Sequence, residues 1–253
     1  MSINPYESTA TAVAVKSSPY VYRPTDTIAA WASWWLLGTA LLEAALAIPF
    51  FLIDPYLDQD PDVLGASLGL STDGALLVFL GIIVVAIGLV LMNIVGIVLF
   101  CVWAYGSNRN AHALGARGME FSPGWTVGWF FVPIMNLFKP YQALKETYQA
   151  SEPTANSASW SKVAAPAWLG WWWALWLISN VVSQAELRLS MNDDAALLAA
   201  SRYLGPVAAV VNLIAAVLAF RLVRSIHQRL TEKANVLSSQ KSFAGQPMHF
   251  RDL

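Results

Sequence analysis

Glu43 is the side chain in this sequence most able to do chemistry, because of where it lies. It sits inside the apolar run Ile28 to Ile53, some ten residues from its far end, which as a helix is about 15 Å at about 1.5 Å per residue. A carboxylate at that depth in a bilayer is costly, and by default it marks a ligand site, an ion path or a proton relay. The structural alternative is a Glu hydrogen-bonded to a neighbouring helix or reaching a wet vestibule. No Lys, Arg or His in another apolar run offers it a counter-charge. A second polar group, Arg109, Asn110, Asn136, Lys139, Lys145 and Glu146, brackets an apolar stretch broken by Pro123, Pro133 and Pro140. Together these six could form a polar pocket for a lipid headgroup, a small anion or a partner segment. Alternatively, Arg109 pairs with Glu146 while Asn110 and Asn136 satisfy carbonyls freed by the prolines.

No complete catalytic constellation is present. The histidines, His112, His227 and His249, lie in polar connectors or the C-terminal region, and HExxH, a glycine-rich phosphate loop and GxSxG are all missing. The single cysteine, Cys101, excludes an intrachain disulfide and a multi-cysteine metal site. Asp58, Asp60 and Asp62 alternate like the start of a calcium loop but lack the glycine and distant Glu that complete one. We therefore expect no catalytic residues, no metal and no cofactor. The formal net charge of −1 argues against nucleic acid as a partner.

The elements that must position these residues are membrane helices. Of the 253 residues, 57% are hydrophobic and 12% charged, about half the charge of a soluble domain. The expected architecture is all-α, with transmembrane helices over 28–53, 75–105, 165–182 and 204–220 and a proline-broken re-entrant or interfacial element over 121–151. Residues 1–27 and 237–253 read as disordered cytoplasmic tails flanking a membrane domain over 28–236. In the second span Gly74, Gly81 and Gly88 recur every seven residues with Gly96 near the same face, a stripe expected to pack against a neighbouring helix. In the third, Trp168, Trp172 and Trp176 share a face, read as interfacial anchors or as a ring-lined ligand surface. Ala195 to Tyr203 reads as a separate short amphipathic helix. The last helix is expected to run on through Arg229 toward Lys233, with Leu222, Ile226 and Leu230 as an apolar stripe.

The stretch Trp125 to Phe138 would rise only about 21 Å as a helix, against a hydrocarbon core of roughly 30 Å. Charge counting decides how it threads. The loop between the first two spans has no Lys or Arg, whereas Gly106 to Lys162 and the region after Arg221 are basic. The positive-inside tendency then puts both termini in the cytoplasm if the broken stretch enters and leaves on one side. Pro133 and Pro140 set the bend, with Asn136 its expected stabiliser. Beyond it, Tyr141, Leu144 and Tyr148 form one face of an amphipathic helix, with Lys139 at headgroup level.

Trp103 to Ser151 resembles the signature of the DUF4328 family of bacterial membrane proteins. The resemblance rests on Arg109-Asn110, Leu114-Gly115, Ser122-Pro123-Gly124-Trp125, Pro133, Asn136-Leu137, Pro140-Tyr141 and Glu146. It implies a multi-pass protein of the bacterial inner membrane and supplies no activity. From the residues, the expected role is a binding, scaffold or accessory protein engaging the lipid bilayer, a membrane-protein partner or a second copy of itself. A small transporter or channel with its site at the broken element is the alternative, and a lipid-modifying enzyme a weaker one.

Overall fold

The protein is described by a computed structural model that covers residues 18–57, 69–155, 159–192 and 194–244. Residues 1–17, the alternating aspartates and the last nine residues lie outside the described residues. Of the two expected tails, 18–27 is described, with Asp26 opening the first helix, and 237–244 continues the last helix. Among those described there is no strand. The helices are α1 Asp26–Leu57, α2 Thr72–Ala113, α3 Pro123–Gly128, α4 Lys139–Ala150, α5 Ala167–Ser190 and α6 Ala195–Ala244. Single 3₁₀ turns lie at Trp129–Phe131, Met135–Leu137 and Trp160–Lys162. Three helices are long and apolar enough to cross a membrane, within Asp26–Ala47, Asp73–Ala113 and Ala200–Gln240. The Trp-rich α5, expected as a fourth span, is not among them.

The spine of the molecule is the antiparallel seam between α1 and α6. Asp26 meets His227 at 3.4 Å, the Trp34 and Phe220 rings lie 4.9 Å apart, Glu43 meets Asn212, and the Phe51 and Tyr203 rings lie 5.8 Å apart. Each step along one helix is matched to within one residue by an opposite step along the other, so the two stay side by side over most of α1. The reason is visible in the sequence. Ala29, Ala32, Leu36, Thr39 and Glu43 on α1 alternate three- and four-residue spacings, and so do Ala208, Asn212, Ala215, Ala219, Leu222 and Ile226 on α6. This is the a/d repeat of a left-handed coiled coil, and its alanines let the backbones approach closely. Ala29 and Ala32 are fully buried, with Ala215 and Ala219 nearly so.

Around this spine the long helices form an arc in the order α2, α1, α6, α5. The α2 helix packs on α1 near its C-terminal end: Trp35 Nε1 donates to the Met92 carbonyl at 2.9 Å, and Gly96 and Gly106 abut Trp35 and Thr25. Further toward its N-terminus α2 diverges. Among the described residues no neighbouring element lies within 4 Å of where a side chain at Gly81 or Gly88 would start, and Gly74 meets only Leu70 and Ser71 of its own turn. Among the described residues the glycine stripe thus meets a neighbouring helix at Gly96, and the apolar middle of α2, including Leu77, Ile83 and Val84, is exposed.

Helix boundaries also differ from expectation, with α2 running on to Ala113 where its span was expected to end at residue 105. The α5 helix continues to Ser190, and Ala195 to Tyr203 is the first part of α6, continuous through Pro206. Glu186, Arg188 and Arg202, which lie between the two expected spans 165–182 and 204–220, sit on helix. The expected stripe is correct at the other end of α6, where Leu222 and Ile226 are fully buried and Leu230 nearly so.

The broken element fills the arc at the end carrying Asp26 and Lys233. Gly115, at φ 91°, ends the run of α2, its N–H donating to the His112 carbonyl at 3.1 Å. Ser122 then caps α3, accepting from Trp125 N–H, with Pro123 in the first turn. After Phe131 the chain makes a γ-turn, with the Met135 N–H donating to the Pro133 carbonyl at 2.7 Å. The residue carrying that turn is Ile134, at φ 67° and ψ −49°, and not Asn136, which lies in the following 3₁₀ turn. A β-branched residue there is strained. It holds because Asn136 N–H reaches the Val132 carbonyl at 3.0 Å and Pro140 starts α4 straight afterwards.

The α1–α6 seam makes a testable contrast. Ala219→Leu inserts volume where the backbones are closest and is expected to lower stability by about 1–3 kcal/mol. Gly81→Ala, on the open face of α2, is expected to be neutral or to stabilise by up to about 1 kcal/mol. Thermal unfolding of the two variants in the same detergent checks both signs.

Candidate functional site

Helices that diverge from a tight seam leave a space between them, and here it is large. A cavity of about 1000 Å³ lies between α1, α2, α5 and α6. Its floor is aromatic: Phe100 lies 5.9 Å from Phe130 and 6.1 Å from Trp172, and Phe130 lies 6.4 Å from Trp176. Most of its polar lining, including Ser183, Glu186 and Ser190, is farther along toward the ends where α5 closes and α6 begins. Gly205 lies close to the Glu186 carboxylate there, so that a Cβ at this position would displace the end of the Glu186 side chain.

Glu43 projects into this cavity. Its Oε1 accepts from Asn93 Nδ2 and its Oε2 from Asn212 Nδ2, each at 2.7 Å. Asn93 Nδ2 also donates to the Leu89 carbonyl of its own helix at 3.0 Å. One carboxyl group thus ties together the three helices that qualify as spans. Asn93, close to the glycine stripe of α2, thus bonds between helices. Asn212 lies on the small-residue face of α6 with Ala208, Ala215 and Ala219. The signal that would have joined them is that each of the three spans carries an Asn or Glu in its apolar middle. A search restricted to Lys, Arg and His misses it.

The six residues expected to form a second pocket are divided among separate tasks. Glu146 does not pair with Arg109. Its carboxylate accepts from the backbone N–H groups of Glu120 at 2.5 Å and Phe121 at 3.0 Å, holding the entry to α3. Burial pushes the Glu146 carboxyl above its usual range, with the nearby Glu120 carboxylate adding and the two backbone N–H groups opposing. Lys139 pairs with Glu120 at 3.0 Å and lies 5.2 Å over the Phe121 ring. Asn110 does not serve the broken element. It pins the chain before α1, accepting from the Arg23 N–H at 3.1 Å and donating to the Arg23 carbonyl at 2.7 Å. Arg109 lies beside the Tyr105 ring at 6.0 Å, and Lys145 is half-buried on α4. Asn136 lines a separate groove of about 600 Å³ with Leu137, Gln184 and Arg188.

Carbonyls of the irregular backbone are met by tryptophans instead. Trp173 Nε1 donates to the Leu137 carbonyl at 2.8 Å, and Trp160 Nε1 to the Arg117 carbonyl at 2.9 Å. Trp172 and Trp173 are buried, so this part of the tryptophan cluster is core, while Trp171 remains exposed. At the end of α4, Lys233 Nζ donates to the Ala150 carbonyl at 2.8 Å. Arg229 donates to Ser151 Oγ and Tyr148 OH, both at 3.1 Å, and pairs with Glu152. A cation at a helix C-terminus is favoured by the dipole, so two basic residues of α6 fix where the broken element ends.

Among the described residues no group of three or more His, Cys, Asp or Glu side chains is placed to hold a metal. A family model described as "Domain of unknown function (DUF4328)" matches residues 62–228. A search of curated proteins and a search of solved structures found no match.

Glu43, Asn93 and Asn212 should behave as one unit. Asn212→Leu alone leaves a carboxylate oxygen unmet and is expected to cost about 1–3 kcal/mol. Replacing all three by Leu is expected to cost less than that single change, because no polar group is then stranded. Unfolding of the single and triple variants in detergent reads the difference.

Proposed function

We propose that this chain, which belongs to the DUF4328 family, is a four-span membrane protein that binds an amphiphilic, lipid-like ligand between its helices. In this reading it acts as a binding or accessory protein, not as a catalyst. The observation that carries the proposal is the cavity of about 1000 Å³, which joins a hydrogen-bonded carboxylate to a wall of Phe100, Phe130 and Trp172. Ligand sites have this character, mostly apolar with a few polar groups that fix orientation, and this volume lies at the top of their range, about 300–1,000 Å³. The α2 and α5 flanks of the arc meet through the Phe100 and Trp172 rings, and above these rings no described residue closes the gap between α2 and α5, which gives a lipid-sized molecule a lateral way in. The same rings separate the cavity from the basic end, which favours binding over conduction.

The fourth span is α5. Its 24 residues reach about 36 Å, enough for a bilayer core, and its tryptophans are largely spent on the protein's own backbone and rings. The orientation follows from charge. Lys139, Arg221, Arg224, Arg229 and Lys233 gather at one end, and the positive-inside tendency makes that end cytoplasmic. The broken element then enters and leaves on the cytoplasmic side, presenting exposed Phe131, Ile134, Leu137 and Phe138 to lipid, in the inner membrane of a bacterium.

Two experiments test this. In a Cys101→Ala background, Arg117→Cys should be protected from an external membrane-impermeant thiol reagent and Met191→Cys should be labelled, since both side chains are exposed at opposite ends; the reverse pattern overturns the orientation. For the cavity, native mass spectrometry of the protein released from mild detergent should show one bound amphiphile. Ala209→Phe, which fills the cavity from α6, should reduce that occupancy at least about tenfold, a loss of roughly 1.4 kcal/mol or more, with unfolding temperature preserved. Equal occupancy in the two proteins overturns the binding reading.

A further inference from the structure

We infer that the ligand of the cavity carries a cationic amine, seated against the Glu43 carboxylate, on an apolar chain without a phosphate. The inference rests on the reading of the cavity as a ligand site and names the chemistry it selects. Glu43 meets donors at both oxygens, Asn93 on one and Asn212 on the other. The orientation of the Asn93 amide is fixed, because the same nitrogen also donates to the Leu89 carbonyl, which can only accept. Two neutral amides orient a carboxylate but do not neutralise it. Among the described residues no Lys, Arg or His contacts Glu43. Arg202, which lines the same cavity, lies ten residues before Asn212 on α6, about 15 Å along the axis.

A carboxylate has roughly four acceptor positions, and the amides take two. The remainder faces the cavity. An ammonium group placed there supplies both the missing charge and the missing donors, and a charge-assisted hydrogen bond of this kind is about twice as strong as a neutral one. An inorganic cation fits less well, since the neighbours of Glu43 present N–H groups where such ions need several oxygen ligands. A zwitterionic phospholipid fits less well too, because its phosphate would accompany its ammonium toward the same carboxylate. The apolar chain of the ligand lies toward Phe100, Phe130 and Trp172, whose rings tolerate a nearby cation.

The test uses the full chain, stripped of lipid in a non-ionic detergent, with dodecylamine, dodecanol and dodecanoate as matched single-chain probes at neutral pH and native mass spectrometry as the readout. Dodecylamine is expected to bind at least about tenfold more tightly than dodecanol, and dodecanoate more weakly than either. Glu43→Gln should bring dodecylamine and dodecanol within about threefold of each other. Equal binding of dodecylamine and dodecanol by the unsubstituted protein overturns the amine assignment and leaves the cavity standing as a ligand site. Binding of none of the three overturns the cavity reading itself. A preference for the amine that survives in folded Glu43→Gln removes Glu43 as its recognition group. Phosphatidylethanolamine competing as well as dodecylamine overturns the exclusion of phosphate-bearing heads. The headgroup comparison in the unsubstituted protein decides the main point even if the variant fails to fold.

Discussion

The close antiparallel seam between α1 and α6 sets everything else. In a membrane, apolar side chains gain nothing by leaving lipid for protein, so helices must hold together through close backbone approach and shared polar groups. Ala29 and Ala32 on one helix and Ala215 and Ala219 on the other supply the approach, and Glu43 with Asn212 supplies the polar pair. A polar residue at such a seam position specifies register at a cost in stability. Here it does so twice, because Asn93 brings α2 to the same carboxylate. The residue that is costliest to bury therefore fixes the relative heights of three helices.

A second constraint governs the irregular backbone between α2 and α5. Proline and a γ-turn leave carbonyls without helical partners, and lipid cannot meet them. The protein meets them with long side chains from neighbouring regular elements: Trp173 of α5 on Leu137, and Lys233 of α6 on Ala150. Trp160 of the loop after α4 does the same for Arg117. This gives a physical reason for so many tryptophans. An indole brings one donor at the end of a large apolar body, which suits a site that must be both dry and hydrogen-bonded.

These two constraints explain what could be read in the sequence. The long helices, the apolar stripe of α6 and the break between Pro133 and Pro140 follow from local rules of periodicity and missing N–H groups, and each was legible. The amphipathic face of α4 was legible for the same reason, with Leu144 fully buried and Tyr148 nearly so. The partners were not. Glu146 could have paired with Arg109 on charge alone, but two backbone N–H groups lay nearer. The glycine stripe of α2 had the spacing of a packing face, yet among the described residues another helix meets it at Gly96 alone, since spacing says which residues share a face and not whether another helix arrives there. Asn136 had the right chemistry for a left-handed turn, and Ile134 took it because the tie between Asn136 N–H and Val132 leaves that residue no other path.

The cavity follows from a mismatch of lengths. The arc of α2, α1, α6 and α5 is as tall as its spans, whereas the element packed into its concave side is broken into α3, 3₁₀ turns and α4 and is too short to match them. It fills the basic end, where Arg229 and Lys233 hold it, and stops at the rings of Phe100, Phe130 and Trp172. Above those rings nothing in the described chain enters the arc, while α1 carries Glu43 into that level. A longer, unbroken element would fill the space and bury the carboxylate against apolar atoms, at prohibitive cost. The proline break and the buried acid thus depend on each other: the short element leaves a volume that the carboxylate can face, and Asn93 and Asn212 hold the carboxylate turned toward it.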